Sequence, residues 1–279
     1  MRYHFLWAAA LCVPSPAWAQ EGEALPSPEE VRAGDGFTIG VGGGIVSDYE
    51  GSNDYRLIPA AAIRGKFGGI SFQTQGTYLH VDLISGGAGN LEFNAGPIVG
   101  VRLNRTGKIE DDVVDLLPER KTAFEVGGFA GISATGLTNP YDSLGIKLAV
   151  VKDVGSAHES AIFSPSLDFS TPLSRTFFVG ASLSADFVAD GYADYYFSVT
   201  PAEALVSGLP AFNAGGGMKS WKVGLLANQS LSGDLRRGLS VFGLSSYSRL
   251  VGDFKDSPIV SDRGSANQWL GALGLAYSF

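Results

Sequence analysis

The chain has a single cysteine, Cys12, among its 279 residues, and it lies in an N-terminal segment expected to be removed. The mature polypeptide therefore offers no disulfide, no thiolate nucleophile and no cysteine-based metal site. Histidine is almost as scarce: beyond His4 there are only His80 and His158, far apart in sequence. Long apolar runs are missing too. Past the N-terminal segment no uninterrupted apolar stretch reaches the roughly 18 residues of a membrane-crossing helix. Cations are outnumbered, 20 Lys and Arg against 28 Asp and Glu, giving a net charge of −8. That balance argues against nucleic acid as a partner.

Apolar residues are nevertheless abundant, at 45% of the chain with a mean hydropathy of +0.13, and they are interspersed with 38 glycines. The N-terminus places a cation at Arg2, an apolar run from Phe5 to Val13, and Ala17-Trp18-Ala19 before Gln20. This is the arrangement of a secretory signal, with cleavage expected between Ala19 and Gln20. A lipoprotein anchor at Cys12 is disfavoured, because Leu11 stands where a small residue is wanted. The expected division is a signal peptide over 1–19, a flexible segment over 20–34 and one barrel domain over 35–279.

Alternation at period two recurs along the chain. Phe37, Ile39, Val41, Gly43 and Ile45 alternate with Thr38, Gly40, Gly42 and Gly44. At the other end Trp269, Gly271, Leu273, Leu275, Tyr277 and Phe279 alternate with Leu270, Ala272, Gly274, Ala276 and Ser278. Bulky apolar groups on one face and small groups on the other suit a wall between lipid and a crowded interior. Apolar-alternating segments fall at 37–45, 55–67, 70–84, 91–103, 122–135, 143–152, 160–171, 176–189, 192–200, 218–231, 238–250 and 267–279. Segments of this length separated by turns are what a transmembrane barrel shows. In lipid, backbone groups must be satisfied internally, which leaves helices or closed barrels. The pattern predicts an all-β fold, a transmembrane antiparallel β-barrel of about 12 strands (range 10–14) with both ends in the periplasm. A secreted soluble sandwich is the alternative, though about 260 residues without a boundary is long for one. The terminal Leu273, Leu275, Tyr277 and Phe279 resemble the signal read by the barrel assembly machinery of the outer membrane. Aromatics near strand ends (Tyr49, Tyr55, Phe67, Tyr78, Tyr195, Tyr196, Trp221, Tyr247, Trp269 and Tyr277) fit interfacial girdles.

Three connections are longer than turns. The acidic stretch 104–121 is expected to be a solvated, mobile loop. Its carboxylates lack the ligand spacing of an EF-hand. In 200–217, Thr200 and Glu203 form a capping box with Pro201 at the first helical position. Gly208 suits the left-handed C-terminal position, with Leu209 and Pro210 just beyond, so one short helix is predicted over 201–207 at the barrel mouth. The stretch 253–267 is expected to be a polar loop.

No catalytic, cofactor-binding or metal-binding residue is assigned. No serine stands in a Gly-x-Ser-x-Gly turn that would mark a nucleophile for His80 or His158. Asp186, Asp190 and Asp194 could crowd one rim as in a barrel protease, but acidic rims are ordinary. The Gly40-x-Gly42-Gly43-Gly44 run is followed by no helix pattern and is no dinucleotide fingerprint. Charged residues at inward parity (Arg56, Arg64, Lys66, Glu92, Arg102, Glu125, Lys147, Asp168, Asp186 and Lys222) predict a wet or salt-bridged lumen.

The C-terminal blocks carry a resemblance. Tyr195-Tyr196-Phe197-Ser198-Val199-Thr200-Pro201-Ala202-Glu203 is followed by Ser207-Gly208-Leu209-Pro210-Ala211-Phe212. Then come Tyr247-Ser248-Arg249-Leu250-Val251-Gly252-Asp253 and Asp256-Ser257-Pro258-Ile259-Val260. Together with Asp48-Tyr49-Glu50-Gly51-Ser52 and Pro59, these resemble the MltA-interacting protein/OmpV (MipA/OmpV) family of Gram-negative outer-membrane proteins. The resemblance implies an outer-membrane barrel in contact with outer-membrane lipid. It also implies a scaffold joining a murein lytic transglycosylase to a murein synthase in the peptidoglycan machinery. Fold alone does not give function, and three classes stay open: such a scaffold, a small porin or solute channel, and a surface adhesin.

Overall fold

The computed structural model describes residues 35–84 and 86–279. The expected signal peptide, its expected junction at Ala19–Gln20 and the segment 20–34 lie outside the described residues. Strands β1 (Gly36–Ser47), β2 (Tyr55–Phe67), β3 (Ile70–Gln75), β4 (Tyr78–Asp82), β5 (Gly86–Ala88), β6 (Leu91–Arg102) and β7 (Ala123–Thr135) form the first half of the wall. The second half is β8 (Ser143–Asp153), β9 (Ala161–Pro172), β10 (Phe177–Val188), β11 (Gly217–Ser230), β12 (Gly238–Leu250) and β13 (Asn267–Ser278). Every neighbouring pair is antiparallel. The first and last strands pair, β1 with β13 through Val41 and Leu275, and β4 pairs with β6 through Leu79 and Val99 to close the ring. β5 is a three-residue flap on β6. The wall is thus a closed barrel of 12 antiparallel strands with no long free edge, which is how a sheet survives in lipid.

The count of twelve matches the expectation, but not strand by strand. The segment 70–84 is two strands, because Gly76 (φ +60°) allows a two-residue turn between Gln75 and Tyr78, the favoured hairpin connection. The segment 192–200 is not a strand. It begins in helix α1 (Asp190–Phe197), whose buried residues are Tyr192, Ala193, Tyr196 and Phe197. That spacing is one helical stripe, and burial of the stripe outweighs the strand preference of its aromatics.

The faces of the wall divide as the alternation requires. Leu57 and Leu273 are 80% and 70% exposed on the outer surface, in a belt with Val41, Phe124, Ile146 and Leu225. Apolar side chains at that exposure around a closed barrel are solvated by acyl chains. The inner face carries small residues. A Cβ added at Gly42 would fall 2.1 Å from the Leu273 carbonyl oxygen, and one at Gly127 1.9 Å from that of Val150. Glycine at these points lets the sheet bend with its strands in register. Two aromatic groups mark the rims. Trp221, Tyr247 and Trp269 pack in series, edge-on and tilted, at 5.4 and 4.8 Å. At the opposite end Phe279 packs against Phe37 and Tyr277 at 6.1 and 4.9 Å. Tyr49, Tyr78 and Tyr196, expected in those girdles, instead turn inward, and Tyr195 is half-buried in the long connections beneath Arg120.

The strand directions gather the long connections 103–122, 189–216 and 251–266 at one end. The described chain ends and the shorter turns, such as 68–69 and 173–176, lie at the other. In outer-membrane barrels short turns face the periplasm and long loops the exterior, so the long connections form an external cap.

This cap is more ordered than the sequence suggested. The stretch 104–121 is not a solvated loop: Ile109, Val114 and Leu117 are buried, and Val114–Leu116 form a 3-10 turn. Its Asp111 carboxylate takes the Arg263 guanidinium at 2.7 Å. The stretch 253–267 is not a polar loop either. It contains helices α3 (Asp253–Asp256) and α4 (Pro258–Ser261), with Phe254, Ile259 and Val260 almost fully buried. Apolar residues in both stretches had no regular period to announce them. The one predicted helix, α2 (Pro201–Ser207), is present with the expected bounds.

Candidate functional site

The cap builds a packed plug inside the upper lumen. It starts from β11, where the register with β10 shifts between Asp186 and Phe187 and leaves Lys219 without an opposite partner. A bulge of this kind re-aims a side chain, and Lys219 is buried toward the lumen. Its Nζ donates to Glu50 Oε1 at 3.0 Å and to the Tyr192 hydroxyl at 3.3 Å, and lies 3.6 Å from Asp186 Oδ2. Ser164 Oγ donates to the other Asp186 oxygen at 2.7 Å.

Glu50, from the β1–β2 connection, is the hub of one half. Its Oε1 also accepts Arg102 Nη1 at 3.1 Å, and its Oε2 accepts the Tyr192 hydroxyl at 2.5 Å. Burial alone would raise the Glu50 pKa, but Lys219, Arg102 and the Tyr192 hydroxyl outweigh it and hold the carboxyl below its ordinary range. Burial pushes the Tyr192 hydroxyl the other way, far above a free phenol, so it remains a donor.

Glu125 is the hub of the other half and is 1% exposed. It accepts Arg102 Nε at 2.8 Å and the Tyr78 hydroxyl at 2.7 Å. His158 Nε2 lies 3.0 Å from Glu125 Oε1, while its Nδ1 accepts the Ser160 N–H at 3.2 Å. With Nδ1 accepting, Nε2 carries the proton and donates. Arg102 joins the halves and is sandwiched between the Tyr192 and Tyr78 rings at 5.3 and 5.9 Å. His158 packs edge-on to Tyr192 at 5.0 Å. The network thus draws on β4, β6, β7, β9, β10, β11, two cap loops and α1. Buried ion networks add little net stability but fix one arrangement; here that arrangement holds α1 across the mouth.

The rest of the cap locks α1 from outside. Ser257 Oγ donates to the Phe197 carbonyl at 2.5 Å, and Phe254 packs edge-on to Phe197 at 5.1 Å. Asp253 accepts the Gly215 N–H at 2.9 Å, following Gly252, whose φ is +55°. Pro258 and Leu209 are buried. Thr200 and Glu203 exchange the reciprocal bonds of the capping box at 3.2 and 2.7 Å, with Gly208 left-handed at φ +75°. Arg249 donates to Asn267 at 2.8 Å at the rim, while Asp256 stays exposed with Lys255, and Pro210 is exposed.

Of the charged residues expected in the lumen, Arg102, Glu125 and Asp186 meet in the plug, and Arg56 pairs with Asp48 at 3.5 Å. Asp168 accepts Ser166 at 2.7 Å. The three rim aspartates do not converge: Asp190 accepts the Gly216 N–H at 2.7 Å and Asp194 lies on the exposed side of α1. His80, expected at a strand end, sits within β4 against the Phe129 ring at 5.5 Å. Sequence reasoning missed Glu50, Tyr192 and Lys219 as site residues. Glu50 lay within the quoted Asp48–Ser52 motif; for Lys219 only the bulge could have signalled an inward side chain.

The family model described as MltA-interacting protein MipA matches residues 39–279. No curated protein is significantly similar. Among solved structures, OmpT of Vibrio cholerae is 8% identical, covering 88% of this chain and 97% of that one with a TM-score of 0.41. An outer membrane channel of Pseudomonas putida F1 is 10% identical, covering 95% and 100%, TM-score 0.45. The Pseudomonas putida toluene transporter TodX is 10% identical, covering 90% and 91%, TM-score 0.34.

Proposed function

The chain belongs to the MltA-interacting protein MipA family, and from that membership we propose that this outer-membrane barrel protein is a non-enzymatic scaffold for the peptidoglycan-remodelling machinery. The observation that carries the reading is the family match across residues 39–279, nearly the whole barrel. The partners are a murein lytic transglycosylase and a murein synthase, held by binding alone. The barrel fixes position in the membrane, and the partners meet its periplasmic turns.

The turn 136–142 suits that role. Asp142 accepts the N–H groups of Leu137, Thr138 and Asn139 at 2.7, 2.7 and 3.2 Å and the Thr138 hydroxyl at 2.6 Å. The Thr138 hydroxyl and these N–H groups pull the Asp142 pKa down to about 2. Such a turn is a stiff projection with Leu137 exposed, ready to be bound at low entropic cost. In the same reading the leader is removed at Ala19–Gln20, and the assembly machinery reads Leu273, Leu275, Tyr277 and Phe279. Tagged protein isolated from intact envelopes after cross-linking is expected to carry both murein enzymes. Pull-downs free of both overturn the reading.

A small solute channel is the second reading, favoured by the inward charges Arg64, Lys147 and Lys222 below the plug. Planar-bilayer recording distinguishes the two: steady conductance supports a channel and silence the plugged scaffold.

A further inference from the structure

Arg105 lies near the start of the β6–β7 connection and is 2% exposed. Its Nη1 donates to the Tyr196 carbonyl at 3.2 Å, while its buried Nη2 has no partner among the described residues. No carboxylate pairs with it there either. Burial lowers its pKa to about 10, so the guanidinium is charged at neutral pH. Its backbone is left-handed at φ +58°, a conformation costly for a residue with a side chain. Arg120 lies alongside, its N–H bonding the Arg105 carbonyl at 2.9 Å. Arg120 pairs with Glu203 at 3.3 Å, yet its buried Nε is also unpartnered among the described residues. Glu203 thus pairs with Arg120 and acts on Arg105 only through space, leaving the buried Arg105 charge without a paired counter-ion among the described residues. An unpaired buried charge is among the costlier things a fold can keep.

Arg105 also forms part of the wall of a cavity of about 220 Å³ in the outward-facing cap. Its other walls include Ile109, Val114 and Leu117, with Lys108 at the edge. Asp115 and Glu119 line it as well, but both are exposed, and Asp115 is occupied by the Ile109 N–H at 2.8 Å. Solvent screens those two carboxylates far better than it screens Arg105. The space is smaller than the roughly 300 Å³ of a drug-sized site.

We propose that this cavity is a binding site for a small organic carboxylate, its charge met by Arg105 and its body resting on mixed walls where the edges of Ile109 and Leu117 lie among polar groups. A single uncompensated positive charge matches a monoanion, and a charge-assisted hydrogen bond from a guanidinium favours a carboxylate over a neutral ligand. The site faces the exterior and stands independently of the periplasmic scaffold reading.

The test uses the full-length protein in detergent micelles at matched ionic strength. Sodium benzoate is the probe, benzyl alcohol its neutral counterpart, and sodium chloride and sodium phosphate the anion controls. A saturable rise in Tm with benzoate alone, abolished in Arg105→Met, is the expected result. No saturable rise, an equal rise with benzyl alcohol or chloride, a phosphate response in its place, or an unchanged response in R105M overturns the proposal. Should R105M fail to fold, hydrogen exchange of the wild type decides. Benzoate is expected to protect amides within 105–119 and leave the turn 231–237 unchanged; protection elsewhere or nowhere overturns it.

Discussion

Lys219, bulged out of its strand, reaches Glu50 at 3.0 Å across 169 residues of sequence. The contact joins the wall of the barrel to the first external loop and, through Tyr192, to the helix that fills the mouth. Replacing Glu50 by Gln strips Lys219 and Arg102 of a shared counter-charge while leaving the strands intact. The expected loss is roughly 1–3 kcal/mol, below that of a fully buried pair because the Glu50 carboxylate keeps some water. Protease cleavage within 189–216 is expected to accelerate in E50Q with the barrel core uncut. Cleavage at the wild-type rate would show that this contact does not hold the plug.

Acid acts on the same contact. The Glu50 carboxyl is held below its ordinary value of 4.5. Its contribution is therefore complete above that value and is lost as pH falls through the folded-state value. The near-ultraviolet dichroism of the tyrosines packed in the cap is expected to decline only once the pH falls below that ordinary value. The decline should be smaller in E50Q. An identical acid transition in both proteins assigns it to other carboxylates.

Ser257→Ala removes the donor to the Phe197 carbonyl and leaves a buried acceptor unpaired. A cost of about 1–3 kcal/mol follows. Because the bond joins α4 to the end of α1, the effect is expected at the cap, seen as faster exchange of amides within 190–216 than within β13. Uniform acceleration throughout the barrel contradicts this.

Leu273→Arg puts a cation on the lipid-facing surface in the middle of β13. Near the bilayer midplane this costs roughly 2–4 kcal/mol, read by reversible unfolding in phospholipid vesicles. Lys in place of the inward Ala272 should cost less if the lower lumen is wet, and the order of the two variants checks which face is which.

Deleting Phe279 removes an exposed ring packed on Phe37 and Tyr277 at the very end of the wall. Folding of the purified chain into micelles is expected to change little, while its level in the outer membrane drops several-fold. Normal membrane levels would remove Phe279 from the assembly signal.

The wall was legible in the sequence because alternation is a local code. Ile39, Val41 and Ile45, or Leu273, Leu275 and Tyr277, announce a lipid face within a few residues, whatever lies elsewhere in the chain. The capping box at Thr200 and Glu203 was legible for the same reason, since its four-residue spacing contains both partners. Even so, twelve strands emerged from two offsetting misreadings. A two-residue turn at Gly76 is too short to interrupt a hydrophobic pattern. Tyr192 to Phe197, rich in aromatics, reads as strand until its buried stripe is seen.

The plug had no local code. Glu50, Arg102, Glu125, His158, Tyr192 and Lys219 come from six separate segments, and no spacing between them signals that they meet. Chain order determined that this polypeptide would make a two-faced wall, because which neighbour a side chain turns away from is settled residue by residue. Only closure of that wall decided what its mouth would contain: curvature brought distant charges within 3 Å, and a single bulge turned Lys219 to complete them.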